Sequence, residues 1–166
     1  GWSAQSEERK SDFYKWVSKN SWVQDYSIFV VIREEFNLLP WWEWPKELKI
    51  KNNKFLKSWI NTKSEKILIK KLIQWHLDEQ WSVIKKFAKS YNVKLIGDLP
   101  FYVSRDSADV WSNKSLFSIY KNGELIFQSG VPPDYFSSTG QLWGTPTYYW
   151  SKHKRSNFDW WRKRFK

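Results

Sequence analysis

Cysteine is absent from the 166 residues. That excludes a disulfide framework and a thiolate metal site, and it fits a reducing compartment. Histidine occurs only twice, as His76 and His153, and the two are too far apart in the chain to form a helical metal pair. Uninterrupted apolar runs are only a few residues long, so no helix is expected to span a membrane. No charged segment followed by an apolar stretch opens the chain, so no signal peptide is expected. The sequence has no P-loop, no dinucleotide fingerprint and no metal-spaced acidic cluster. Neither a cofactor nor a metal is therefore expected.

What is present is positive charge and tryptophan: the net charge is +11 and there are 14 Trp. The basic residues are scattered through 46–89 and gathered again in 152–166. No RNP-like, zinc-finger or Gly-rich basic motif accompanies them. A Lys-rich solvated surface is the plainer reading, and neither nucleic acid nor membrane is the expected partner. A nucleic-acid binder would announce itself by steep salt dependence. Indole rings fill cores, but their faces also stack on the C–H faces of sugars. The length allows one domain with a real core, and 41% apolar residues argue against disorder.

Residues 1–10 are polar and expected to fray. Phe13, Trp16 and Val17 recur at helical spacing. Asn20 or Ser21 is a plausible cap for a helix from Trp22 to about Glu35, closed by Asn37 and Pro40. Pro40-Trp41-Trp42-Glu43-Trp44-Pro45 reads as a turn with aromatic anchors, serving either as a packing clamp or as a sugar-stacking platform. Residues 58–62 look like a break. A long helix is expected from Ser64 to about Tyr91. Its apolar stripe runs through Ile69, Leu72, Ile73, Val83, Ile84 and Phe87, interrupted by His76 and Gln80. His76 there reads first as a hydrogen-bonded structural residue.

The β-branched and leucine run from Val93 to Leu99 reads as a buried strand of an α/β sheet, with Asp98 at its carboxyl end. Sites of parallel α/β proteins lie at that end, so Asp98 either serves the site or braces the following loop. Asp106 to Trp111 predicts a short capped helix. Leu116 to Phe127, alternating around Asn122-Gly123, predicts a hairpin with a type I′ turn. Gly130 to Gly144 reads as a long binding loop or lid tipped by Tyr135 and Phe136. A last helix is expected from about Asn157 to Phe165. Overall this is a helix-rich α/β chain. It divides into a helical subdomain over 1–91 and, over 92–166, a strand ending at Asp98, a long hairpin-bearing loop and a following helix.

Several motifs carry a resemblance. They are Gly97-Asp98-Leu99-Pro100-Phe101-Tyr102-Val103, Asp106-Ser107-Ala108-Asp109-Val110-Trp111, Gly130 to Phe136, and Gly140-Gln141-Leu142-Trp143-Gly144. Trp22 to Phe29, Pro40-Trp41, Trp44-Pro45, Gln74-Trp75 and Gln80-Trp81 add to them. Over about Trp22 to Trp150 the chain resembles an internal part of a 4-α-glucanotransferase of the amylomaltase, or disproportionating enzyme, family. The resemblance implies part of a (β/α)8 barrel of the α-amylase clan, with a helical insertion. It also implies retaining transfer between α-1,4-glucans (maltooligosaccharides), without a cofactor, in the cytoplasm or in the plastid stroma of a photosynthetic eukaryote. A carboxylate nucleophile would attack the anomeric carbon while a second carboxyl protonates the leaving oxygen.

By that resemblance Asp98 lies near the sugar at the cleavage point as a supporting polar contact. Tyr135 and Phe136 match the loop arching over the donor glucan, and Gln141 and Trp143 match residues that contact the chain. A water-excluding aromatic lid favours a sugar acceptor over hydrolysis. The sequence also departs from the family. Thr145 stands where the family usually has Asn, and Thr147 where Leu is common. No Arg-x-Asp-His nucleophile segment occurs. The catalytic pair is therefore expected outside these residues, in flanking parts of the same enzyme, and the chain alone is expected to be inactive and prone to aggregate. Asp106, Asp109 and Asp134 are alternative carboxylates by type only. A non-catalytic α-glucan-binding protein is the competing reading.

Overall fold

The computed structural model describes residues 1–165. They form ten regular elements: α1 (Glu7–Lys19), α2 (Trp22–Glu35), α3 (Lys46–Lys49), α4 (Asn53–Thr62), α5 (Ser64–Ser90), α6 (Ala108–Ser112), β1 (Gln128–Val131), β2 (Gln141–Pro146), α7 (Trp150–Arg155) and α8 (Asp159–Arg164). Two compact units result. One comprises Gly1–Glu35 and Lys57–Gly97. The other comprises Phe36–Leu56 and the residues from Asp98 onward.

The first unit is helical. Ser6 caps α1 by accepting a hydrogen bond from the Arg9 amide, and Glu7 and Glu8 complement the helix N-terminus. The opening residues are thus held, contrary to the fraying expected from their polarity. Trp2 also packs edge-on against Phe13 and Trp75, with ring centroids 5.0 and 6.2 Å away. α2 lies where the sequence predicts it. It buries Val23, Ile28, Phe29, Val31 and Ile32, a helix apolar on more than one side because it is covered on more than one side. It ends where Asn37 and Leu38 take left-handed φ of 52° and 62°.

α5 also forms where expected, but it buries a different face. Ile67 and Trp75 face α1 and α2, whereas Ile69, Ile73, Val83, Ile84 and Phe87 of the predicted stripe are exposed. The helix carries two apolar faces, and periodicity alone picks the larger. Ion pairs fasten the buried side. Glu35 accepts from Lys63 and Lys66, both at 2.5 Å, and Lys70 meets Glu34 at 2.6 Å. Arg9 forks onto Glu79 at 2.5 Å and lies 3.8 Å above the Trp75 ring. His76 is exposed beside Glu79 at 3.3 Å.

The strand expected over Val93–Leu99 does not form. Asn92, at φ 56°, ends α5 in a left-handed cap. Its amide bonds the Lys89 carbonyl at 3.0 Å, and Val93 bonds Ala88 at 2.9 Å, so Val93 is consumed by the helix terminus. Residues 94–100 then have no regular structure, and Ile96 is 97% exposed. A buried parallel strand needs partners on both edges, and no described residue pairs with this run. Among the described residues the only sheet is the two-stranded β1–β2 ribbon, so they build no barrel strand. None of their helices is long and apolar enough to cross a membrane.

The second unit is organised by tryptophan. Trp41, Trp44 and Trp111 are almost wholly buried. Their indole N–H groups donate to the carbonyls of Arg105, Leu39 and Leu48 at 2.8, 2.9 and 3.0 Å. The Pro40–Pro45 segment is therefore packing, and Trp41 and Trp44 offer no sugar-stacking platform. Residues 58–62, expected to be a break, lie inside α4. The predicted hairpin at Asn122-Gly123 shrinks to a single bridge, Ile119↔Leu125. Its turn is not type I′, because Gly123 alone has positive φ, at 96°. The Tyr120 carbonyl accepts from Gly123 and the Tyr120 amide donates to Glu124 at 2.8 Å, a type I turn with a glycine bulge. A Cβ on Gly123 would stand 2.6 Å from that of Trp42. Gly123→Ala is expected to lower stability by about 1–3 kcal/mol, checked by urea denaturation.

Candidate functional site

The aromatic lid motif is carried by the β1–β2 ribbon rather than by a free loop. β1 pairs antiparallel with β2, with Gly130 opposite Leu142 and Val131 opposite Gln141. The connecting residues 132–140 are tied internally. The Asp134 carboxylate accepts from the Phe136 and Ser137 amides at 2.9 and 2.8 Å, and the Ser137 hydroxyl donates to the Gly140 carbonyl at 2.8 Å. Gly140 sits at φ 73°, where a Cβ would be 2.5 Å from the Val131 carbonyl, so only glycine closes this loop without strain. The closed loop holds Tyr135 and Phe136 outward, 97% and 90% exposed, with their rings edge to face at 5.5 Å. Exposed aromatic rings on a braced loop are a ready contact surface, since little ordering entropy is lost when they bind.

Period-two alternation puts Gln141 and Trp143 on one face of β2. The Trp143 indole N–H donates to the Gln141 side-chain oxygen at 3.0 Å, which fixes the ring while leaving it 47% exposed. Tyr102 lies beside it at 6.0 Å between centroids and stacks in turn on Tyr148. The Tyr148 hydroxyl donates to the Phe101 carbonyl at 2.6 Å. Burial above all pushes its pKa up to about 12, so it stays a donor at neutral pH.

Asp98 lies elsewhere on this unit, exposed, in a cleft of about 510 Å³ that it shares with Phe101, Trp150, Phe158, Trp161 and Arg162. That is a volume suited to a small-molecule site, with an apolar wall and a few polar groups. The structure thus brings Tyr135 next to Phe136 and Gln141 next to Trp143. The Phe101–Tyr102 contact, at 5.0 Å, links the Asp98 cleft to Trp143. Sequence reasoning assigned no site role to Tyr102, Trp161 or Arg162. The dense aromatic runs Tyr148-Tyr149-Trp150 and Trp160-Trp161 were the available signal, because rings clustered so closely in sequence tend to share one wall. The predicted final helix arrives as α8, and α7 before it was not anticipated.

The other carboxylates have structural work. Asp106 accepts from the Trp41 amide at 3.3 Å, Asp109 accepts from the Trp160 indole at 3.1 Å, and Asp134 holds the tip loop. None of them lines the Asp98 cleft. No group of three metal-ligating side chains occurs among the described residues.

Beneath the cleft wall His153 is fully buried, rather than lying in an exposed basic tail. Its Nε2–H donates to the Leu116 carbonyl at 3.1 Å, and Tyr148, Trp150, Trp160 and Trp161 surround it. Burial lowers its pKa below the usual 6.5. The unfolded chain therefore binds the proton first as pH falls, and stability is lost below 6.5. Glu35, held at about 2 by its two lysine hydrogen bonds, loses its contribution only at pH below its ordinary 4.5. The melting temperature is expected to drop between about pH 7 and about pH 5 in the wild type and to flatten in His153→Gln, as a calorimetric pH series would show.

The sequence pattern of the 4-alpha-glucanotransferase family matches residues 2–166. The chain belongs to the 4-alpha-glucanotransferase family. It is 38% identical to the 4-alpha-glucanotransferase of Clostridium butyricum over 156 residues, 93% of this chain and 32% of that protein. It is 40% identical to the Synechocystis 4-alpha-glucanotransferase over 150 residues, 90% of this chain and 30% of the relative. It is 37% identical to the chloroplastic/amyloplastic 4-alpha-glucanotransferase of Solanum tuberosum over 145 residues, 87% and 25% of the two chains. Among solved structures, the amylomaltase from Streptococcus agalactiae in complex with acarbose matches with a TM-score of 0.90 at 34% identity, covering 96% of this chain and 32% of that one. This 4-alpha-glucanotransferase family chain spans between a quarter and a third of the length of these relatives.

Proposed function

We propose that this chain supplies glucan-contacting loops of a 4-α-glucanotransferase that moves α-1,4-glucan segments between maltooligosaccharides by retaining double displacement. The observation that carries the reading is the braced pair Tyr135 and Phe136, outward-facing on a ribbon whose adjacent face presents Trp143 fixed by Gln141. Rings so placed match the apolar faces of glucose units. Asp98, in its aromatic cleft, provides a polar contact to the sugar at the cleavage point. The nucleophile and the acid/base carboxyl, about 5–5.5 Å apart in a retaining site, come from outside these residues. Residues 94–99 are irregular and largely exposed and have strand composition, which suits pairing with barrel strands from the flanking parts of the enzyme, the chain's first partners. The binding of acarbose by the Streptococcus agalactiae relative supports a glucan ligand. Its site of action is the cytoplasm or, in a photosynthetic eukaryote, the plastid stroma.

Among the described residues Asp98 is the only carboxylate lining the cleft, an observation that also suits a non-catalytic α-glucan-binding protein. Titration of maltoheptaose, followed by indole N–H resonances, tests what both readings share. Saturable shifts of Trp143 with a Kd on the order of 1 mM are expected. An unmoved Trp143 overturns both.

A further inference from the structure

A second cavity, of about 190 Å³, lies within the helical unit, between α1, α2, α4 and α5. Phe13, Val17, Ile60, Ile67 and Leu68 form its apolar wall. Lys71, Gln24 and Ser64 bring polar atoms to it, and Tyr14 is its only other titratable lining group among the described residues. It shares no residue with the Asp98 cleft.

Lys71 differs from the lysines around it. Lys63 and Lys66 are neutralised by Glu35, and Lys70 by Glu34. The Lys71 ammonium instead donates to the neutral Gln24 side-chain oxygen, and no carboxylate pairs with it among the described residues. Burial lowers its pKa, with no carboxylate to offset the effect. If the seam served packing alone, leucine would fill this position at less cost than a half-desolvated cation.

We propose that this cavity binds a small amphipathic monocarboxylate, its apolar body against Phe13, Ile60 and Ile67 and its carboxylate on the Lys71 ammonium and the Ser64 hydroxyl. The size sets the class. A cavity of about 150 Å³ accommodates a benzene ring, so this one takes a ring or a short alkyl chain with one head group. The ligand supplies the counter-charge that Lys71 lacks, and the Gln24 hydrogen bond keeps the ammonium in position before it arrives. Neither the ring alone nor the charge alone satisfies both parts of the site.

The test uses the full chain and three probes: benzoate, benzyl alcohol and acetate. Amide and lysine Nζ resonances are followed by NMR. Benzoate should bind saturably, about tenfold or more tighter than either other probe. It should shift Ile60, Ile67 and Lys71 and move the Lys71 titration to higher pH. Lys71→Met should weaken benzoate about tenfold and leave benzyl alcohol unchanged. The wild-type titration stands whether or not that variant folds. Equal affinity for benzoate and benzyl alcohol, shifts confined to other residues, or an unmoved Lys71 titration would each overturn the proposal. None of these outcomes touches the glucan reading, which rests on other residues in the other unit.

Discussion

Replacing Trp111 by alanine is expected to cost about 3–5 kcal/mol of stability from the lost ring; the Leu48 carbonyl that it caps keeps the Lys51 amide as a donor. Trp111 is fully buried. Its ring meets Trp44 edge-on at 5.8 Å, and Lys51 caps it at 4.8 Å. Its indole N–H is the donor that ties α6 to the end of α3. Small domains are stable by about 5–15 kcal/mol in all, so this loss is a large part of the margin. Trp111→Phe keeps most of the apolar contact and loses the hydrogen bond, and should cost about 1–2 kcal/mol beyond the smaller ring's cavity. Near-ultraviolet circular dichroism with thermal melting separates the cases. A Trp111→Ala protein melting within a few degrees of the wild type would contradict this account of the core.

The second large effect concerns the proposed glucan surface. Trp143→Ala should weaken maltoheptaose binding by about 1–2 kcal/mol, on the order of tenfold, from the lost stacking area. The ring is half exposed and already oriented by Gln141, so the wild type loses little entropy in using it. Gln141→Leu should weaken binding less, because the ring stays but loses its tether. Calorimetry on the three proteins checks the order. Equal affinity for wild type and Trp143→Ala would remove Trp143 from the site.

That Tyr135 and Phe136 tip an exposed loop was readable in the sequence, because loops rich in aromatics and glycine fold locally. What periodicity could not show is that a two-stranded ribbon and the Asp134 turn brace that loop. α2 and α5 were readable from apolar spacing; the cap expected at Asn20 was not, since its side chain donates to the Trp16 carbonyl at the end of α1 instead. The face that α5 buries was not, since both of its faces are apolar and tertiary contact decides between them. The Val93–Leu99 run has strand composition, yet a strand is a property of its neighbours as much as of its own residues. The turn at Gly123 is a bulge rather than type I′, and Trp41 and Trp42 occupy the space where a Cβ on that glycine would fall, a long-range constraint invisible to a dipeptide rule. His153 looked like part of a basic tail by its neighbours in sequence, whereas α7 turns it inward onto the Leu116 carbonyl.

The central claim is that these residues contact glucan while the reacting carboxylates lie outside them. Incubating the purified chain with maltotriose, and assaying for glucose and longer maltooligosaccharides, tests it directly. The expected result is no product from the chain alone, and transfer once the remaining two thirds of a family enzyme is supplied. Glucose and longer oligosaccharides formed by the chain alone, and abolished by Asp98→Asn, would show a complete site within it and contradict the claim.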